Sequence, residues 1–408
     1  MAEEETKYFP AELREKEKEL LFRGYALYTY NANRPSSAEL TDKTSSGTNE
    51  EGGEGSVADF LRKEATANHD FSLSLLSTNL TGEQDTELRT FIAKRLAKGT
   101  VYSGSGNVAT IEDVLPNTTS QCYYCLLRGD KEDEDNDDSV MSLGRYLSKD
   151  FVVCFVADAK TKLELFQKEL DDYSSMLLPE LMTPIESLDV KEQFGHLNNW
   201  YEENVEFLCR CVSLLKEDLS VLIQCGLVGM NLQVKSSDSK LAKDAKMFVN
   251  ACSTMNTLNL QAGKNQIEGK SLEEKSFLPT SLNLTIDDEK RCELSTKEAT
   301  SFCKEWAKTM LSGDTNDPMF LREVIENYKL RVNHDLNTLK RLFRQAETDH
   351  YALYRSYQFL LKCGNGPVLL HNTKQEADAM SSEETSDILK VLEDYIKNNN
   401  KFVTTEGS

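Results

Sequence analysis

Cys122-Tyr-Tyr-Cys125 has the spacing with which a zinc knuckle begins, two soft thiolates three residues apart. A zinc site needs a second pair, and no matching pair lies at a suitable distance along the chain. On a strand, residues three apart point to opposite faces, so these two read as structural thiols. Cys209 and Cys211 are two apart on a helical pattern and cannot face one another either. The five histidines, His69, His196, His334, His350 and His371, show no His-Glu-x-x-His or other clustered ligand spacing. No Gly-x-Ser-x-Gly elbow is present to turn a serine into a hydrolase nucleophile.

Two loops invite a ligand and then lack its key residues. Ser103-Gly-Ser-Gly-Asn107 is glycine-rich, but it has no phosphate-loop lysine and precedes a strand where a helix would be required. A tight hairpin turn is the expectation there. The run starting at Asp130 resembles a calcium loop, yet Asp135 stands at its sixth position in place of glycine and Met141 at its twelfth in place of glutamate. It reads as a solvated acidic loop. No catalytic, cofactor-binding or metal-binding residue is therefore assigned, and the expectation is a protein that is not an enzyme.

What the side chains do offer is a contact surface. Residues 319–362 read as one long amphipathic helix, with Leu321, Ile325, Tyr328, Val332, Leu336, Leu339, Phe343, Ala346, His350, Leu353, Tyr357 and Leu361 recurring at steps of three and four. Lys329, Arg331, Lys340, Arg341 and Arg344 form a basic belt on it, and tyrosines crowd its end. The belt reads either as a solvated face with intrahelical pairs such as Arg344 with Glu347, or as a contact for an acidic partner surface. Lys340, Arg341, Arg344, Tyr351 and Tyr354 are the candidate partner-binding residues. Cys363-Gly-Asn-Gly-Pro367 supplies the helix stop.

The elements that must position this surface fall into two regions. Residues 1–23 read as an N-terminal tail with a short helix, and 24–180 as an α/β domain. That domain carries a disordered insert at 32–68, poor in large apolar groups, and an acidic loop at 128–143. Its strands read at Tyr25–Tyr30, Asp70–Leu76, Val101–Ser103, Asn107–Val114, Gln121–Leu127 and Phe151–Val156. Thr81-Gly-Glu-Gln84 supplies a helix entry, the helix runs from Asp85 to Lys98 and stops at Gly99, and a second helix covers Thr161–Leu178. Counting Val101–Ser103 together with Asn107–Val114, the order is two strands, a helix, three strands and a helix, that of a longin-like sandwich, a fold-level analogy. Residues 185–400 read as predominantly helical, with an irregular segment at 262–296, before a tail at 401–408. The fold class is thus α+β.

The formal net charge of -21 and a sequence pI near 4.8 argue against general nucleic-acid binding, which needs a basic face of some extent. The N-terminal MAEEETKYFP has neither a basic n-region nor an apolar h-region, so the ten cysteines are expected to be reduced. No apolar run suits a membrane-spanning helix. The expected location is the cytosol, or a cytosolic membrane face reached through a partner.

Several ordered pieces carry a resemblance. They are Asp70-Phe-Ser-Leu-Ser-Leu with Thr78-Asn-Leu80, Phe91-Ile-Ala-Lys-Arg-Leu96, Gly106-Asn-Val-Ala109, Cys122-Tyr-Tyr-Cys-Leu126 and Val152-Val-Cys-Phe155. Leu339-Lys-Arg, Arg344-Gln-Ala-Glu347, His350-Tyr-Ala-Leu353 and Cys363-Gly364 follow in register. With them the chain resembles the vertebrate Njmu-R1 family, over the N-terminal region and the last third. The resemblance implies a non-enzymatic small subunit of the WD-repeat-eleven complex, joined to a WD-repeat propeller subunit and a second large helical subunit. It further implies action with a TBC-domain golgin adaptor in capturing endosome-derived vesicles at the trans-Golgi network, and a role in spermatogenesis. It maps no binding positions onto this chain. A small-GTPase regulator or effector built on a longin-like platform is the alternative.

Overall fold

The computed structural model describes residues 22–32, 71–115, 118–129, 150–182, 193–254, 278–346, 348–380 and 388–396. The expected N-terminal helix, nearly all of the polar insert and the acidic run from Asp130 lie outside these. The chain divides into two compact units, Met1–Asn204 and Val205–Ser408.

The first unit is built on β1 (Arg23–Ala32), β2 (Phe71–Thr78), β3 (Asn107–Leu115), β4 (Thr118–Leu127) and β5 (Asp150–Asp158), in the order β2-β1-β5-β4-β3. Neighbouring strands pair antiparallel throughout this sheet. Helix α1 (Gly82–Ala97) lies between β2 and β3 in sequence and α2 (Gln167–Met182) follows β5, so the chain runs β-β-α-β-β-β-α as expected. Central β5 is Val- and Phe-rich and buried from Phe151 to Ala157, which its continuous apolar run requires of a strand covered on both faces. On one face Tyr28, Cys122, Tyr124, Cys154 and Val156 pack with Leu88 and Ile92 of α1. On the other, Phe155 stacks 5.9 Å from Tyr123 and 5.0 Å from Trp200 and lies 5.7 Å from Tyr173 of α2.

Helix α1 starts with a full capping box: Thr81 Oγ1 accepts from the Gln84 amide while Gln84 Oε1 accepts from the Thr81 amide. It ends before Gly99, whose φ of +65 glycine adopts without the Cβ clash of other residues. Val101–Ser103 is not a strand; Ser103 alone bridges to Leu126. The run Thr161–Leu178 is helical, but its start is two short 3₁₀ turns, separated by Lys162 at a φ of +46, before α2 begins at Gln167.

The second unit contains α4 (Phe207–Leu215), α5 (Leu219–Val228), α6 (Ser239–Cys252), α7 (Ser301–Ser312), α8 (Pro318–Ala346), α9 (His350–Lys362), α10 (Gly366–Met380) and α11 (388–396); α3 (Trp200–Asn204) closes the first unit. A small sheet joins them: β6 (Asn231–Ser236) runs parallel to β7 (Ser281–Ile286), and β7 antiparallel to β8 (Cys292–Leu294). β7 and β8 fall inside the segment 262–296 that the sequence reading leaves irregular. Leu282, Leu284 and Ile286 alternate inward with period two, too briefly to stand out from the polar residues around them. α4 and α6 are tied by Arg210, whose Nε and Nη2 donate to Asp244 at 2.6 and 2.8 Å.

The expected long helix 319–362 is two helices. Pro318 occupies the first position of α8, where a missing N–H costs nothing. After Ala346 the chain turns, and the Asp349 carboxylate accepts from the Tyr351 amide at 2.8 Å to cap α9. The interruption resets the register. In α8 the expected stripe is buried through Phe343, but in α9 Ala352, Ser356 and Leu360 are buried, while His350 and Leu361 are exposed and Leu353 and Tyr357 half-buried.

Candidate functional site

The thiols are placed as structural groups. Cys122 faces α1, whereas Cys125, three residues on, lies by Tyr123 and Asp171 on the other face. Burial pushes the Cys125 thiol up to about 11 and those of Cys225, Cys252 and Cys303 up to about 12. Burial also raises Cys154 and Cys211. A thiol that keeps its proton at neutral pH is a weak nucleophile and a poor metal ligand.

The histidines stay apart. His196 Nε2 lies 3.6 Å from Glu180 and its Nδ1 3.2 Å from the Gln193 carbonyl oxygen. His334 Nδ1 lies 3.5 Å from Asp335, and His371 Nε2 lies 2.9 Å from Gln375. Burial holds His371 below the ordinary histidine range. His350 is the exposed first residue of α9, and His69 lies outside the described residues. Among the described residues, no group of three or more His, Cys, Asp or Glu side chains is placed to hold a metal ion.

The glycine-rich loop is occupied by the protein itself. The Gly106 amide donates to Asp171 Oδ1 at 2.7 Å, the Tyr123 hydroxyl donates to the same oxygen at 2.8 Å, and Gln167 Nε2 donates to the Gly106 carbonyl at 2.6 Å. A Cβ on Gly106 would run into the Tyr123 ring, which explains a glycine at that position. Burial raises the Asp171 carboxyl above the usual carboxylate range, with the Gly106 N–H and Tyr123 hydroxyl opposing it. The loop leads into β3 and is no hairpin, and its inward N–H is satisfied by a carboxylate instead of a phosphate.

The basic and tyrosine-rich surface is where exposure concentrates. Two members of the expected belt are engaged within α8: Lys329 Nζ lies 3.2 Å from Glu326, and Arg331 Nε 3.2 Å from the buried Asp335. Glu347, the expected partner of Arg344, lies outside the described residues. Arg341 and Arg344 are exposed on the last turns of α8, and Lys340 is half-buried and makes contacts of its own. Beyond the turn, Tyr351 and Tyr354 are exposed, with rings 6.3 Å apart. The structure thus brings the two tyrosines together, and places the three basic residues on the preceding helix.

Sequence reasoning missed the neighbours of these tyrosines. Tyr357 of α9 lies 5.7 Å from Tyr395 of α11, and Leu361, Val391 and Tyr395 are exposed large apolar residues. The available signal was apolar residues off the buried stripe: α11 buries Leu389, Leu392 and Ile396, leaving Val391 and Tyr395 on its other side.

A model of the Njmu-R1-like protein family matches residues 25–398. The chain belongs to this family. Protein Njmu-R1 of Mus musculus is 34% identical over 392 residues, an alignment covering 91% of this chain and 90% of the relative. No solved structure matches. The family match runs through both units and includes the tyrosine-rich surface of α9 and α11. Among the described residues, no helix is long and apolar enough to cross a membrane.

Proposed function

We propose that this chain is a non-enzymatic adaptor subunit of a WD-repeat-containing complex that helps golgins capture endosome-derived vesicles at the trans-Golgi network. Its partners are the WD-repeat propeller subunit, a second large helical subunit and, through the complex, a TBC-domain golgin adaptor. The chain acts in the cytoplasm, reaches trans-Golgi and vesicle membranes through those partners, and has a role in spermatogenesis. The observation that carries this reading is the pairing of family membership with a surface that offers contact and little chemistry: exposed tyrosines and arginines at α8, α9 and α11, beside thiols held protonated by burial. Exposed aromatic and arginine side chains are the types enriched at protein interfaces.

Affinity capture of the tagged chain from cells is expected to retrieve the WD-repeat subunit in stoichiometric amount. Recovery of a stable monomer without that subunit would count decisively against the proposal. The β-β-α-β-β-β-α order of the first unit favours a second reading, a longin-like platform for a small GTPase. Nucleotide-exchange and GTPase-binding assays with endosomal and Golgi GTPases separate it from a passive subunit.

A further inference from the structure

The helix geometry of the second unit arranges most of its exposed large apolar residues, Leu330 of α8 apart, into one strip with charged borders. At about 100° per residue, Tyr357, Leu361, Tyr354 and Tyr351 lie in that order around the open side of α9, with the polar His350 and Gln358 among them, opposite the buried Ala352, Ser356 and Leu360. The next positions around are Lys362 and Arg355, both exposed. In the other direction the Tyr357 ring meets Tyr395 at 5.7 Å, which continues the strip onto α11 through Tyr395 and Val391. The exposed Asp394 then ends it. Tyr351 is 66% exposed, Tyr354 55%, Tyr395 56%, Leu361 43% and Val391 42%, so five large apolar side chains lie open on two neighbouring helices. Scattered single apolar residues need no explanation, but a contiguous strip rimmed by charge marks a contact site.

We propose that this strip docks an amphipathic helix of a partner protein, with acidic residues along the edge of its apolar stripe that meets Arg355 and Lys362. From Tyr354 to Leu361 the strip runs about 10 Å along α9, two turns, the length over which a docked helix presents its i, i+3, i+4 and i+7 anchors. Charge selects the orientation. The border on α9 is basic, whereas the border on α11 carries both Asp394 and, one turn earlier, the exposed Lys390, so the α9 side is the stronger attractor for an acidic edge. The proposal rests on the reading of the chain as an adaptor and names the chemistry it adapts to.

Two synthetic helical peptides of about five turns test it, each with a leucine stripe, one edged by glutamate and the other by lysine. The full chain is expected to bind the glutamate-edged peptide in preference. The double variant Tyr354→Ser/Tyr395→Ser, which alters only exposed side chains, is expected to weaken binding at least about tenfold with an unchanged Tm. Arg355→Glu/Lys362→Glu is expected to shift the preference to the lysine-edged peptide. Equal binding of both peptides, no binding, or wild-type binding by the tyrosine variant overturns the proposal. So does concentration-dependent self-association that the tyrosine variant abolishes, because that assigns the strip to a second copy of this chain. If peptide binding fails while the WD-repeat subunit is still captured, the strip proposal falls alone. If capture fails too, the adaptor reading falls with it.

Discussion

Asp171 holds the glycine-rich loop with a single oxygen that accepts from both the Gly106 amide and the Tyr123 hydroxyl. Asp171→Ala leaves both donors without that acceptor and is expected to cost about 1–3 kcal/mol in urea denaturation, whereas Asp171→Asn keeps an oxygen there and costs less. The pH dependence has a definite sign. Because the folded pKa is raised, chiefly by burial, the folded chain takes up this proton at higher pH than the unfolded chain does. Stability from this group therefore grows as pH falls from the raised value towards the unfolded one, and is lost as pH rises back through the raised value. Relative to Asp171→Asn, the wild-type chain is expected to gain stability on mild acidification in that window; a gain on alkalinisation instead would refute the assignment. Arg210 and Asp244 present the opposite case, a bidentate pair whose carboxylate is buried. Removing the cation by Arg210→Ala strands that charge and is expected to cost about 3–5 kcal/mol, read by chemical denaturation.

Among the elements, the joint between α8 and α9 is the most specific departure from periodicity. Asp349→Ala removes the N-cap of α9 and is expected to destabilise the chain by about 1 kcal/mol. Amide exchange is expected to quicken at Tyr351, whose N–H the carboxylate holds, more than in the middle of α8. Why the joint escapes a sequence reading is visible in its residues. Ala346, His350, Leu353, Tyr357 and Leu361 continue the step of three and four without a flaw, and no glycine or proline interrupts them. By contrast β5 was legible because Phe151 to Val156 is apolar and β-favouring throughout, and α1 because Thr81 and Gln84 form a capping box. β7 was not, because three alternating positions between polar neighbours carry little signal. Arg341, Arg344, Tyr351 and Tyr354 were legible as surface candidates through residue type alone, while Val391 and Tyr395 required knowing which side of α11 is covered.

For the whole molecule, burial divides the thiols. Cys209, Cys292 and Cys363 are partly accessible and the other seven of the ten are buried. A thiol-reactive chromophore at neutral pH is therefore expected to titrate no more than these three quickly in the native protein and all ten after denaturation. Fast reaction of more than three would contradict the placement of the cores. The charge of the molecule bears on its associations as well. A chain with a formal net charge of -21 repels acidic partners at a distance, and exposed Arg341, Arg344, Arg355 and Lys362 attract them locally. Salt screens both, so the local attraction is read by difference: as the Debye length shrinks from about 30 Å at 0.01 M to about 8 Å at 0.15 M, the affinity advantage of the wild-type chain over Arg355→Glu/Lys362→Glu for an acidic partner is expected to narrow, measured as Kd against salt.

The turn that separates α8 from α9 acts as an angular setting. Had α8 run on unbroken at about 100° per residue, Leu353, Tyr357 and Leu361 would have continued its buried stripe; the turn lets α9 bury Ala352, Ser356 and Leu360 and leave Tyr351, Tyr354 and Leu361 outside. Side chains at Thr348 can vary at little cost, since it is exposed. The break at this one joint, more than the periodicity of the residues beyond it, decides which residues of α9 the molecule shows to its surroundings.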